Sequence, residues 1–395
     1  MFLRSHRVRG LLAALIAAPV AACSSIPRVP YTAAEAAVAT VPGQAPTIRY
    51  WADAPASAFA GVSRAATSQR EPFTYLALSG GGGDGAYGAG VLNGWTESGR
   101  RPVFTLVSGV STGALIAPFA FLGPAYDATL REIYTSGIAS TLVQSPSPIN
   151  LLIGDGLFGD QRLRDLVGRY VTPELLAEIA EEHRKGRRLL VVTTNLDSQR
   201  AVIWDMGAIA ASGQPNAVAL FRDVLTASAS VPAVFPAMLI DAQAGNRAFQ
   251  ELHVDGAVAT PVFTLPEAYL AQDSRVVSHR GRPNIYVIIN GRIEPSFDVV
   301  ENRTLAIASR TLSTVGRARA RASLASTAAF ARRNGIGFNL TYIDRRQPEV
   351  AAQQGFDTAY MRALFNDGYE KARSGALWET TLPRDSVLAT QASLQ

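Results

Sequence analysis

The chain of 395 residues contains one cysteine, Cys23, so no disulfide forms within it. Its only lysines are Lys185 and Lys371; neither follows a glycine-rich turn, which excludes a Gly-Lys-Ser/Thr phosphate loop. Histidine is limited to His6, His183, His253 and His279, so any imidazole chemistry has four sources. No group of His, Cys, Asp and Glu has metal-ligand spacing, and neither a metal nor a cofactor is expected. Excess charge is small too. The formal net charge is +5, and three arginines (Arg4, Arg7, Arg9) lie at the extreme N-terminus, leaving +5 − 3 = +2 without them. So low a value gives no support to nucleic acid as a partner.

Those three arginines precede an apolar core, Leu11–Ala18, and the small-residue stretch Val20-Ala21-Ala22-Cys23. The pattern predicts a cleavable signal peptide over 1–22, because the apolar run is too short to span a bilayer. Its end resembles the lipobox of bacterial lipoproteins, which implies lipidation of Cys23 and anchoring to a membrane of the cell envelope. Ser24, where aspartate is absent, points by the same resemblance to the outer membrane and its periplasmic face. A plain secretory signal is the alternative. Residues 24–70 are rich in Ala, Pro, Ser and Thr, so 23–70 is expected to be the lipidated cysteine and a flexible tether.

Beyond residue 70 the pattern alternates. Strands are expected at 73–79, 104–109, 188–195, 201–205 and 285–290, and helices near 86–98, 111–122, 161–182 and 222–230. Such alternation predicts an α/β fold with a mostly parallel sheet. A chain of 48% hydrophobic composition and this length can bury a large core.

Three motifs carry the chemistry. The first is Gly109-Val110-Ser111-Thr112-Gly113, between an apolar strand and an apolar helix. A sharp turn there pushes a serine Oγ out at the carboxyl end of a sheet, and the helix start favours negative charge beside it. Ser111 is the candidate nucleophile, with Gly109 and Gly113 shaping the elbow. The second is the run Gly80, Gly81, Gly82, Gly83, Asp84 and Gly85, where bare backbone N–H groups are suited to an oxyanion. Its Gly80-x-Gly82-x-x-Gly85 spacing also fits a dinucleotide fingerprint, but no acidic residue ends the next strand. The third is Val254-Asp255-Gly256-Ala257, read either as an ordinary Asp-Gly turn or as a base held beside Ser111. A serine hydroxyl needs an acceptor for its proton as it attacks. His253, two residues before Asp255, is the most plausible imidazole, and a Ser…Asp…His order leaves His279.

The three motifs in this order resemble the patatin-like phospholipase family. The resemblance covers roughly residues 73–292 and implies a three-layer α/β/α fold with a mostly parallel central sheet. It also implies a Ser111–Asp255 dyad without histidine, an oxyanion loop at Gly80–Gly83 and Gly85, and Gly256 and Ala257 as neighbours of the base. Asn195-Leu196-Asp197 and the stretch Ala227–Pro236 resemble connecting segments of these enzymes. The implied activity is hydrolysis of lipid carboxyl esters, with membrane lipid as substrate and no cofactor. One departure is Asp84, at a place where many members carry arginine. The catalytic domain is expected over 71–292, with a helical C-terminal extension over 293–395. Within it, Arg310, Arg317, Arg319, Arg321, Arg332 and Arg333 fall in a helical stretch from about Glu301, read as a solvated face or a lipid-facing one. Ser145–Phe158 is a candidate lid. The competing readings are a non-catalytic envelope lipoprotein that uses the fold as a binding module, and a Ser-His-Asp esterase.

Overall fold

Side chains alternate between two faces along every central strand, and that alternation builds the molecule. The computed structural model describes residues 28–62, 72–144, 158, 161–271, 281–297, 299–344 and 354–383. Its strands are β1 (Arg49–Trp51), β2 (Thr74–Leu78), β3 (Leu106–Val110), β4 (Arg188–Asn195), β5 (Arg200–Asp205), β6 (Met238–Ala244), β7 (Arg247–Asp255), β8 (Asn284–Ile289) and β9 (Gly337–Tyr342). The principal helices are α1 (Ala33–Val38), α2 (Gly85–Glu97), α3 (Thr112–Leu122), α4 (Asp127–Thr135), α5 (Gln161–Tyr170), α6 (Pro173–Arg184), α7 (Met206–Ala211), α8 (Ala217–Ala229), α9 (Thr304–Asn334) and α10 (Thr358–Ser374).

One sheet takes the order β1-β5-β4-β3-β2-β8-β9, and the five strands from β4 to β9 run parallel. β5 and β1 add antiparallel strands at one edge, and the β6–β7 hairpin joins antiparallel to the end of β4. Leu76, Leu78, Val107, Val191 and Ile288 face one way, into a core shared with α2, α3, α8 and α10. Tyr75, Ala77, Val110, Val192 and Val287 face the other way, against Ala320, Leu324, Phe330 and Ala331 of α9. The period-2 pattern thus buries both faces, and the result is three layers.

Four features depart from the sequence reading. Residues 28–62, expected as tether, are folded onto the body: β1 pairs with β5, and Val41, Ile48 and Phe59 are buried. Arg28 holds Asp197 with both Nη atoms at 2.7 and 2.9 Å, and Tyr31 donates to the same carboxylate at 2.7 Å while stacking on Phe249. The helix expected over 161–182 is two helices, because Thr172 caps a new start at Pro173. The β6–β7 hairpin went unread because its polar outer face masks the strand pattern. Residues 293–395 are mainly helical where described, yet they also supply β9, which pairs with β8 along its full length.

The contact between α10 and α2 is made backbone to backbone. A Cβ at Gly90 would run into the Phe365 carbonyl oxygen, and one at Gly94 into that of Tyr369. Gly→Ala inside a helix gains about 1 kcal/mol from propensity alone. Overpacking against fixed backbone costs about 1–3 kcal/mol or more, so the steric effect wins. Gly90→Ala is expected to lower the urea midpoint, whereas an unchanged or raised midpoint would show that these helices do not press together as described.

Candidate active site

The parallel strands β2, β3 and β8 end at one edge of the sheet, and each hands its chain to a different part of the site. β2 runs into the glycine loop, β3 into the elbow at Ser111, and β8 into Asn290. β7 arrives from the opposite direction. Its antiparallel pairing sets Asp255 across from Thr193, which lies just beyond the end of β3.

Ser111 sits at φ 55° and ψ −126°, a conformation that costs an L-residue on the order of 1–3 kcal/mol. Two close backbone approaches enforce it. A Cβ at Gly109 would strike Gly113 and Ala114, and one at Gly113 would strike the carbonyls of Leu78 and Ser79. The glycines of the elbow therefore admit the turn that the serine requires. The Ser111 N–H donates to Ser228 Oγ at 3.0 Å, and Ser228 Oγ donates to the Val192 carbonyl at 2.6 Å.

The Ser111 hydroxyl donates to Asp255 Oδ2 at 2.6 Å, and the other carboxylate oxygen, Oδ1, accepts the Ala257 N–H at 2.7 Å. Both side chains are buried, Ser111 at 4% and Asp255 at 2% exposure. Burial pushes the Asp255 carboxyl up to about 7, and the bonds from Ser111 and Ala257 only partly offset it. A carboxylate titrating there is matched to proton transfer at neutral pH. Gly256 packs its backbone against the Val192 carbonyl, and Thr194 Oγ1 donates to the Asp255 carbonyl at 2.9 Å.

The glycine loop lies beside the serine: a Cβ on Gly80 would stand 3.1 Å from Ser111 Cβ and 3.3 Å from Ala257 Cβ. Its five glycines are not equivalent. The Gly80 N–H donates to the Pro261 carbonyl at 3.0 Å, and the Gly85 N–H donates within the turn to the Gly82 and Gly83 carbonyls. Among the described residues no acceptor meets the N–H groups of Gly81, Gly82 and Gly83, or that of Thr112 at the start of α3. These four N–H groups are left as candidate donors to an oxyanion formed beside Ser111, where the start of α3 adds positive potential.

Asn290 holds the loop in place. Its N–H donates to Ser79 Oγ and its Nδ2 to the Ser79 carbonyl, each at 2.8 Å, while its Oδ1 accepts the Gly88 N–H at 3.1 Å. Its carbonyl oxygen fills the space that a Cβ on Gly81 would need. Asn290, Ser228 and Thr194 were missed as site residues because each looks like a strand or helix terminus in sequence. The available signal was a small polar residue closing an apolar run. Asp84 accepts a hydrogen bond from Tyr360 of α10 at 2.8 Å. Burial, with Asp84 adding to it, pushes the Tyr360 hydroxyl up, so it stays a neutral donor.

The histidines lie elsewhere. His253 is fully buried, with Nδ1 2.9 Å from Thr193 Oγ1 and Nε2 3.2 Å from Glu251 Oε2, and burial lowers its pKa. Burial works against ionisation of Glu251, but bonds from His253 and Arg49 outweigh it and hold that carboxyl at about 2. His183, in the last turn of α6, is half-buried beside Asp205, and burial lowers it to about 4. His6, His279, Cys23 and the candidate lid up to Leu157 lie outside the described residues; Phe158 packs against Phe235. Among the described residues no group of acidic, His or Cys side chains could hold a metal ion.

No curated protein matches the chain. Among solved structures, VipD from Legionella pneumophila is similar at 13% identity and a TM-score of 0.36, over 77% of this chain and 67% of that one. The family model for patatin-like phospholipase matches residues 76–266, an interval that begins in β2 and ends beyond the Asp255 turn. Residues 76–266 are thus similar to the patatin-like phospholipase family, and both Ser111 and Asp255 lie inside the matched interval.

Proposed function

We propose that the protein is a serine acyl hydrolase that cleaves lipid carboxyl esters in two steps. The observation that carries this reading is the 2.6 Å bond from Ser111 Oγ to a buried carboxylate poised near neutrality. In the first step Asp255 takes the Ser111 proton as Oγ bonds to the ester carbonyl carbon. The carbonyl oxygen becomes an oxyanion facing the free N–H groups of the glycine loop and Thr112. Collapse breaks the bond to the leaving alcohol, which departs with the proton held by Asp255. Water then gives a proton to Asp255 and attacks the acyl-enzyme, and Ser111 leaves with that proton as the fatty acid is released. Loss of one oxyanion donor in such a site costs about 3 kcal/mol.

The same reading puts the enzyme on a bacterial envelope membrane through lipidated Cys23, supported by the sequence motif alone. Arg28 is docked on the body, so a membrane anchored at Cys23 would lie close to the folded chain.

Fluorophosphonate labelling tests the chemistry. Wild type is expected to label, Ser111→Ala not at all, and folded His253→Gln to within about tenfold of wild type, because its imidazole touches neither reacting group. Removing that buried partner of Glu251 is expected to cost about 1–3 kcal/mol of stability. Absence of labelling in wild type with lipid present overturns the hydrolase. Loss of labelling in folded His253→Gln overturns the histidine-free mechanism.

A further inference from the structure

Ten large hydrophobic side chains are exposed among the described residues, and six of them lie between positions 297 and 315. Phe297 is 95% exposed and Val299 80%, on the segment that follows β8, and Val300, Ile307, Leu312 and Val315 continue the group onto α9. This is a concentration, not the single scattered residues that any surface shows.

The place of this patch follows from topology. α9 carries the chain from the carboxyl end of β8 back to the start of β9, and those strands are parallel. Its C-terminal half is packed through Leu324, Phe330 and Ala331, whereas residues 306–319 of its first half are exposed or half-buried. Arg319 donates to the Val258 carbonyl at 2.7 Å, three residues after Asp255. The turns from Thr304 to Ala318 span about 20 Å at about 1.5 Å per residue. At about 100° per residue, Ile307, Ala308, Leu312 and Val315 share one face of those turns.

The opposite side is tied down. Arg310 donates to the Ser296 carbonyl at 2.6 Å, Arg317 to that of Glu294 at 3.0 Å and Arg321 to that of Ile293 at 3.2 Å. These bonds hold the segment that presents Phe297 against the helix, so the apolar residues stand on a fixed support. α9 has arginines at 310, 317, 319, 321, 332 and 333 and no acidic residue; with Arg303 and the preceding Glu294, Asp298 and Glu301 included, residues 293–334 carry a net 7 − 3 = +4. An apolar face on a net-basic element matches an anionic bilayer, where rings and aliphatic chains enter the acyl region and the net positive charge is drawn to the surface at a distance.

We propose that Phe297, Val299 and Val300 with the first half of α9 form a docking element that seats the site-bearing edge on an anionic lipid surface. The inference rests on the lipid-hydrolase reading for its purpose, and its test is independent of catalysis. The unacylated chain 24–395 bearing Ser111→Ala is sedimented with vesicles of phosphatidylcholine alone and of phosphatidylcholine with one quarter phosphatidylglycerol. Binding is expected to favour the anionic vesicles and to fall at least tenfold in Phe297→Ser/Leu312→Ser. Both positions are exposed, so melting should be unchanged. In the Ser111 background, the same pair of changes should leave hydrolysis of a soluble short ester intact and reduce hydrolysis of vesicle lipid. Equal vesicle binding by the parent and the double variant overturns docking even if the soluble ester is cleaved. A concentration-dependent dimer that the double variant abolishes also overturns it, by giving the face to a second copy. Failure to cleave any ester with vesicle binding intact counts against the hydrolase and leaves docking standing.

Discussion

Asp255→Asn is expected to abolish ester hydrolysis and, at alkaline pH, to make the protein harder to unfold. The first effect follows from the 2.6 Å bond to Ser111: an amide cannot take the proton, and loss of a base of this kind lowers turnover by about four to six orders of magnitude. The second follows from burial, which lifts this carboxyl from 3.8 to about 7 in the folded state. A raised acid pKa stabilises the fold fully below about 3.8, and that contribution is lost as pH rises through about 7. Above that point wild type holds a buried charge that the amide lacks, a difference on the order of 4 kcal/mol for a shift of about three units. The advantage of the variant should therefore be small near pH 4, grow towards pH 7 and level off beyond it. Asp205, which burial raises to about 6, follows the same trend in both proteins and cancels in the comparison. Melting curves of both proteins at pH 5 and pH 8.5, beside a wild-type pH–rate profile, check the argument. Wild-type kcat/KM should fall as pH drops through about 7. A rate that persists to pH 5, or a variant no more stable at pH 8.5, would contradict a buried carboxyl poised near neutrality.

A chain ended after residue 292, the boundary that the sequence resemblance suggests for the catalytic domain, is expected not to fold. The cut removes β9 from the edge of β8 and strips α10 from α2 and α9 from the other face. Leu324, Phe330, Leu340, Met361, Leu364 and Phe365, all buried, disappear with it. At about 1.5–3 kcal/mol for each such side chain, the loss is on the order of 10 kcal/mol. That is comparable with the whole stability of a domain, about 5–15 kcal/mol. Purified 24–292 should give no cooperative melting transition where 24–395 gives one. A sharp transition in the shorter chain would make residues 293–395 a true appendage.

Much of the centre of this fold was legible because its strands are apolar runs bounded by glycine or polar turns, as at Thr74–Leu78 and Arg188–Asn195. What escaped had mixed patterning. Arg247–Asp255 alternates exposed and buried residues next to polar neighbours, and Gly337–Tyr342 opens on glycine and holds a central asparagine. The juxtaposition of Ser111, Asp255 and the glycine loop was suggested by motif order, and the structure sets them side by side. The supports were not legible. Asn290 lies 211 positions from Ser79, and nothing local to either residue announces the pairing. The role of Asp84 was equally hidden, because its partner Tyr360 lies 276 positions away.

That last separation has a temporal meaning. A chain leaving the ribosome contains Ser111 and Asp255 well before Gly355, Phe356 and Tyr360, which pack against Gly82, Gly83 and Asp84. The hundred residues between Asp255 and Gly355 take roughly 5–20 s to synthesise. Throughout that interval the glycine loop lacks its outer wall and α2 lacks its neighbour. On the reading proposed above, competence to cleave a lipid ester is therefore expected only once the end of α10 has docked.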